Sequence, residues 1–206
     1  MALAHHAPEA AAELAPVDIS RREAILDAAS TVFLRFGFRK TSMEDVARAA
    51  EVSRQGLYLH FANKEELFRA AVCRKLSGNV ATARAALANR SAPLESRLVD
   101  ALYAWYGIRV GRLHDEAGDL PEASESVAGA IIEQQRQQFE QLLLKAIAGS
   151  RSLMAFYTPR GITALHLVQT LTASAEGLRF HPTTHEKYIA DITIAVRILC
   201  APANTR

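Results

Sequence analysis

The run "TSMEDVARAAEVSRQGLYLHFANKEELF", residues 41–68, gathers side chains suited to recognition rather than to bond making. Arg54 and Gln55 are adjacent, and Tyr58, His60 and Lys64 follow within three helical turns. A guanidinium can take both acceptors of a guanine edge, and a glutamine amide matches adenine. Tyr58, His60 and Lys64 can donate to phosphate oxygens, which positions a protein on a duplex without reading its sequence. Just upstream, Thr41 and Ser42 stand at a helix start, where free amides and hydroxyls suit a phosphate. Arg39 and Lys40 would add attraction that ignores sequence. Ser53 would cap the reading segment, and Gly56 would let its backbone approach a surface closely. The same residues also fit a solvated face of short helices that binds nothing, and periodicity alone does not separate the two.

These side chains need elements to hold them. A capping box pairs Ser, Thr, Asn or Asp with Glu three positions later. The pattern occurs at Ser20–Glu23, Thr41–Glu44, Asn63–Glu66 and Thr183–Glu186. The first precedes a helix over residues 21–36, with Ile25, Ala28, Ala29, Val32, Phe33 and Phe36 on one face. Gly37 stops it in the left-handed conformation, and Phe38 folds back on the last turn. A second helix over residues 42–49 has Met43, Val46, Ala47 and Ala50 inward. A third over residues 54–60 buries Leu57 and Phe61, and its internal Gly56 costs about 1 kcal/mol against alanine. A longer fourth helix starts at Lys64. Short helices two and three, joined by a tight turn, make a helix-turn-helix layout. In such a pair the second helix enters the major groove of DNA.

The rest of the chain also reads as helical. The fourth helix continues to about residue 88, and Ser91-Ala92-Pro93 breaks it. Residues 94–113 carry Leu98, Leu102, Trp105 and Ile108 at helical spacing. "HDEAGDLPEA" reads as a loop, residues 122–148 as a long helix, and "GSRSLMAFYTPRG" as a connecting segment. Residues 162–175 and 188–199 form two last helices, apolar on more than one side. They can therefore be buried against both their own core and a partner chain.

Bulk properties bound the function. The 206 residues are half hydrophobic, with ten glycines and seven prolines, which favours an all-α fold with a sizeable core. The net charge of +2 does not announce nucleic-acid binding. Residues 18–70 hold nine basic and eight acidic side chains, so any DNA contact rests on placement rather than on total charge. No run approaches the roughly 18 apolar residues of a membrane span. The start, "MALAHHAPEAAAELAP", is a poor secretory signal and reads as a disordered tail over residues 1–18. His5–His6 is too isolated for a metal site. Cys73 and Cys200 read as buried free thiols of a reducing, cytoplasmic compartment. Enzyme chemistry finds no support: there is no Gly-rich phosphate loop, metal-ligand spacing or serine elbow. His181 and His185 flank Pro182 and a helix cap, so they read as a loop residue and a first-turn residue. No catalytic residue, metal or cofactor is expected.

The pattern "IL.AA...F...GF..TSMEDVA", with the close "VSRQGLYLHFANKEELF", resembles the DNA-binding domain of the tetracycline-repressor (TetR) family of transcription regulators. The likeness spans about residues 20–68. Its most specific part is Tyr58-Leu59-His60-Phe61 followed by Asn63-Lys64-Glu65-Glu66-Leu67. The resemblance implies a DNA-binding domain over residues 19–79, with the helix-turn-helix at 42–61. A helical effector-binding and dimerisation domain over residues 80–206 would follow. Thr41, Ser42, Tyr58, His60 and Lys64 match phosphate-holding positions, and Ser53 opens the recognition helix. Arg54, Gln55 and Gly56 match positions that read or approach bases. One residue departs: Glu51 stands in the turn where the family usually has glycine, which calls for a strained backbone or an altered turn. The implied partners are a palindromic duplex operator, a second copy of the chain through the last two helices, and an unknown small effector. In the body, Trp105, Tyr106, Arg109, Phe139, Met154, Phe156, Tyr157, His166 and Thr170 are the candidate effector contacts. Their aromatic excess favours a lipophilic or aromatic ligand. The alternative is a DNA-binding regulator without a small effector, answering to a protein or organising DNA.

Overall fold

The computed structural model describes residues 16–107, 119–179 and 184–201, and side chains from residue 19 onward. Among them every regular element is helical: α1 (Pro16–Phe36), α2 (Met43–Ala49), α3 (Arg54–His60), α4 (Lys64–Ala88), α5 (Leu94–Tyr106), α6 (Leu120–Ala148), α7 (Arg151–Tyr157), α8 (Ala164–Leu178) and α9 (His185–Cys200). A 3-10 turn, Thr158–Arg160, follows α7.

The apolar side chains divide between two cores. In the head, Ile25, Leu26, Ala29, Val32 and Phe33 of α1 pack on Val46, Leu57, Phe61, Leu67 and Phe68. Phe33, Phe38 and Phe68 meet as an aromatic trio with ring centres 4.9–6.0 Å apart. In the body, α5, α8 and α9 enclose Leu98, Leu102, Phe139, Leu143, Tyr188 and Val196. Helix α4 belongs to both cores; its 25 residues reach roughly 37 Å. Arg74 on α4 pairs with Glu23 and Asp27 of α1. Helix α6 is likewise shared: Ala123 and Ala128 lie in the head core, while Phe139 and Ile147 lie in the body core. A boundary at residue 79 therefore falls inside α4.

Several expectations are corrected. Helix α1 begins at Pro16, so Ser20 lies inside it and caps nothing, and the proposed tail gives way to helix at residue 16. Proline suits a first helical turn, where its missing amide proton has no partner to lose. The cap of α2 is Ser42 with Asp45, one position later than the Thr41–Glu44 reading. Helix α5 is described only to Tyr106, and residues 108–113 of its expected span lie outside the described residues. Helix α6 starts at Leu120, within the stretch read as loop. The connecting segment holds α7, which buries Leu153 fully. Its seven residues, flanked by Gly149 and Pro159, are too few to display a period. Thr184, not Thr183, caps α9 by accepting from the Lys187 amide; Thr183 itself is outside the described residues, as is the tail before Pro16.

Candidate nucleic-acid interface

The recognition segment is set by its caps. Ser53 accepts the Gly56 amide at 3.0 Å and starts α3. Leu57 and Phe61 are fully buried, which rotates the other face of α3 outward. That face carries Arg54, Gln55, Tyr58 and Leu59, all exposed, with His60 half-buried. The Arg54 guanidinium lies 5.8 Å from the Tyr58 ring, one turn away. A side-chain carbon on Gly56 would come within 3.1 Å of the Ser53 hydroxyl, so the glycine leaves room for the cap. Leu59, 82% exposed, is the residue that the sequence reading left out of the site. Its signal was available: Leu57 and Phe61 define the inner face, and Leu59 falls opposite.

Between α2 and α3 the chain turns at Glu51, which has φ 54°. It is the one non-glycine residue of positive φ among the described residues. The Glu51 amide donates to Arg48 and the Val52 amide to Ala47. These two bonds are the Schellman closure of a helix, whose left-handed position usually holds glycine. The expected strained backbone is thus present, and it sets the angle between α2 and α3.

The side chains before α2 have local roles. Thr41 is 2% exposed, and its hydroxyl donates to the Gly37 carbonyl at 2.7 Å. The Ser42 amide and hydroxyl donate to Asp45 at 3.0 and 2.6 Å, and its oxygen accepts the Asp45 amide. Bonds from the Ser42 hydroxyl, then from its amide, hold the Asp45 carboxyl below its ordinary value. The Lys64 ammonium donates to the carbonyls of Phe38 and Thr41 at 3.0 and 3.1 Å. Without a duplex, the polar groups of Thr41, Ser42 and Lys64 thus bond within the loop that carries Arg39 and Lys40; Thr41 is buried, whereas Ser42 is exposed and Lys64 half-buried. A cleft of about 460 Å³ runs along this loop and α3, lined by Arg39, Lys40, Arg54, Tyr58 and Lys64 among others. Glu44 is its one carboxylate. The surface is thus basic around the exposed face of α3.

The candidate effector residues separate in space. Trp105 stacks on Phe139 with centres 5.1 Å apart and planes 8° apart, and Tyr106 meets Phe139 edge-on at 6.1 Å. All three are buried, and burial pushes the Tyr106 phenol up to about 12. Phe156 lies on α7, against Tyr157 and under Arg160. Met154 is half-buried beside the body core, and Tyr157 donates to the Leu199 carbonyl at 2.9 Å. His166 and Thr170 are exposed on α8, whereas Trp105, Tyr106 and Phe139 are buried. His166 closes the α8 capping box with Thr163, and Thr170 donates to the His166 carbonyl. Arg109 lies outside the described residues. Cys73 and Cys200 are free, and burial pushes the Cys200 thiol up to about 11. Among the described residues no helix is long and apolar enough to cross a membrane. No cluster there could hold a metal ion.

A capped pair of short helices, a basic loop and an exposed face of α3 make a helix-turn-helix head on a helical body. The family model described as bacterial regulatory proteins, tetR family, matches residues 25–71. The HTH-type regulator YfiR of Bacillus subtilis (strain 168), itself uncharacterised, is 51% identical over 49 residues, 24% of this chain and 24% of that protein. The transcriptional repressor ComR of Escherichia coli (strain K12) is 37% identical over 79 residues, 38% of each chain. The matched stretch thus spans well under half the length of either relative. The structure of the fatty acid degradation regulator FadR from Bacillus halodurans aligns with a TM-score of 0.66 at 16% identity, covering 91% of this chain and 96% of that one. That likeness extends the shared fold through the body. Residues 25–71 thus match the tetR family, and the body shares the fold of a solved regulator.

Proposed function

We propose that this protein is a transcriptional repressor that binds a palindromic operator as a homodimer and is released by a small lipophilic or aromatic effector. The observation that carries the DNA-binding part is the outward face of α3 beside the basic cleft. Arg54 and Gln55 read base edges there, and Leu59 offers an apolar contact of the kind a thymine methyl accepts. Tyr58 and His60 flank them as phosphate donors, with Ser53 and Gly56 keeping the helix start in place. Thr41, Ser42 and Lys64 hold the loop that presents Arg39 and Lys40 to the backbone.

Dimerisation is supported by the outer faces of the last two helices. Leu165 on α8 and Ile189, Ile194 and Ile198 on α9 are exposed, Ile198 to 70%. A second copy seated on that face would cover them and place two recognition helices on one side of a duplex. Two half-sites about 34 Å apart then meet successive major grooves. An effector that prefers a wider spacing would shift the population away from the bound form. Trp105, Tyr106 and Phe139 would form an aromatic wall of its site. The close stacking of Trp105 on Phe139 also favours a second reading, a regulator with a filled body and no small effector.

The experiment is selection of duplex DNA from a randomised pool, followed by titration at stated salt. A recovered inverted repeat, bound far more tightly than unrelated duplex, is the expected result. Equal affinity for all duplexes would sink the regulator reading. Screening apolar and aromatic compounds for release of that duplex then separates the effector reading from the effector-free one.

A further inference from the structure

The geometry points to Asp119, at the start of α6, as a positioning residue for the DNA-facing loop, an inference that rests on the DNA-binding reading above. Asp119 is the cap residue of α6, yet its carboxylate makes no bond to its own helix. It turns instead to the head. Oδ1 accepts the Phe38 amide and Oδ2 accepts the Arg39 amide, both at 2.7 Å, across 81 and 80 positions of sequence. Gly37 permits this approach, since a side-chain carbon there would collide with Asp119 Oδ1. Gly37 also has φ 82°, a conformation that glycine adopts at little cost.

The same short loop is gripped from its other side by Lys64, which takes the Phe38 and Thr41 carbonyls. The loop's amides thus belong to α6 and its carbonyls to α4, the two helices shared with the body. Arg39 is drawn the same way: its guanidinium lies 2.7 Å from Glu122 and 3.7 Å from Asp119. Asp119 therefore sets where Arg39, Lys40 and the start of α2 stand relative to the recognition helix. A shift of the α6 start would move that basic edge directly.

The test compares Asp119→Asn with Glu122→Gln, each of which removes one negative charge near the DNA-facing loop. Charge alone predicts that both tighten binding to a duplex selected by the wild-type protein. Positioning predicts opposite signs. An asparagine offers one acceptor and turns a donor toward the second amide, so Asp119→Asn weakens binding by about tenfold. Glu122→Gln frees Arg39 and tightens it. Equal tightening by both variants overturns the inference, while failure of the wild type to select any duplex overturns the DNA-binding reading instead. Hydrogen exchange of the free wild-type protein gives a second readout that needs no variant. The Phe38 and Arg39 amides exchange slowly if Asp119 holds them, and exchange at open-loop rates for both overturns the latch.

Discussion

The Lys64 ammonium lies 3.0 Å from the Phe38 carbonyl and 4.5 Å from the centre of the Phe38 ring. One cation thereby ties the first residue of α4 to the loop before α2 and to the aromatic trio of the head. Lys64→Met keeps most of the aliphatic stem and removes the donor. The expected loss is about 1–2 kcal/mol of stability, seen as a fall of a few degrees in thermal midpoint. Affinity for every duplex falls with it, because the loop that presents Arg39 and Lys40 loosens. An unchanged midpoint would show that the lysine does not hold the loop.

Glu51 sits in the left-handed region at φ 54°. A non-glycine residue there costs roughly 1–2 kcal/mol, and glycine removes that cost while adding about 0.5–1 kcal/mol of unfolded-state freedom. Glu51→Gly is therefore neutral to stabilising by up to about 1 kcal/mol. Glu51→Val, branched at the carbon that clashes, destabilises by more than about 1 kcal/mol. Chemical denaturation of both variants checks the order, and a valine variant as stable as the glycine one contradicts it.

Base reading and phosphate contact separate by their salt dependence. Arg54→Ala costs about 1–3 kcal/mol on the selected duplex and relaxes preference at one position of each half-site. Lys40→Ala weakens all duplexes alike and lowers the salt slope by about 1. Leu59→Ala reduces discrimination between thymine and uracil at the position it faces, since uracil lacks the methyl group. Binding isotherms over a range of salt concentrations, on duplexes with single substitutions, measure all three.

Acid acts on the start of α2. The Asp45 carboxyl is lowered chiefly by the Ser42 hydroxyl and next by the Ser42 amide. A depressed folded-state value gives stability that is present above the ordinary carboxylate value, near 3.9, and lost as pH falls through the lowered one. The cap of α2 is expected to persist through mildly acidic pH and open only below that value. Amide chemical shifts of Ser42 and Asp45 followed against pH report it, and Asp45→Asn should abolish the transition.

Ile198 and Ile194 stand one turn apart on the outer face of α9. Ile198→Glu places a charge in the proposed dimer seam and is expected to give a folded monomer by sedimentation. That monomer binds a single half-site weakly and loses cooperative binding to the full repeat. A dimer that survives Ile198→Glu and Ile194→Glu together places the seam elsewhere.

Local chemistry made much of the head legible. Ser53 and Asn63 are caps by residue type, and Leu57 with Phe61 defines a face by spacing. The Glu51 anomaly was visible as a residue of the wrong type in a turn. The body was less legible, because its apolar residues occupy several faces and the period blurs. Helix α7 vanished between a glycine and a proline, and α1 runs back to Pro16 past a serviceable cap at Ser20. An available cap does not end a helix when the residues before it also continue the turn.

The chain's own residues determined the all-helical class, the order of the short helices and the outward face of α3, since each depends on neighbours within about four positions. Tertiary structure decided which polar groups remain available to a partner. Thr41, Ser42 and Lys64 look like free donors in sequence, yet they are bonded to Gly37, Asp45 and the carbonyls of Phe38 and Thr41. Asp119 looks like the cap of its own helix, yet it closes on the amides of Phe38 and Arg39. The physical reason is the same in each case. A hydrogen-bonding group is committed by whichever partner the folded chain brings within about 3 Å, and sequence spacing does not encode that distance for residues eighty positions apart.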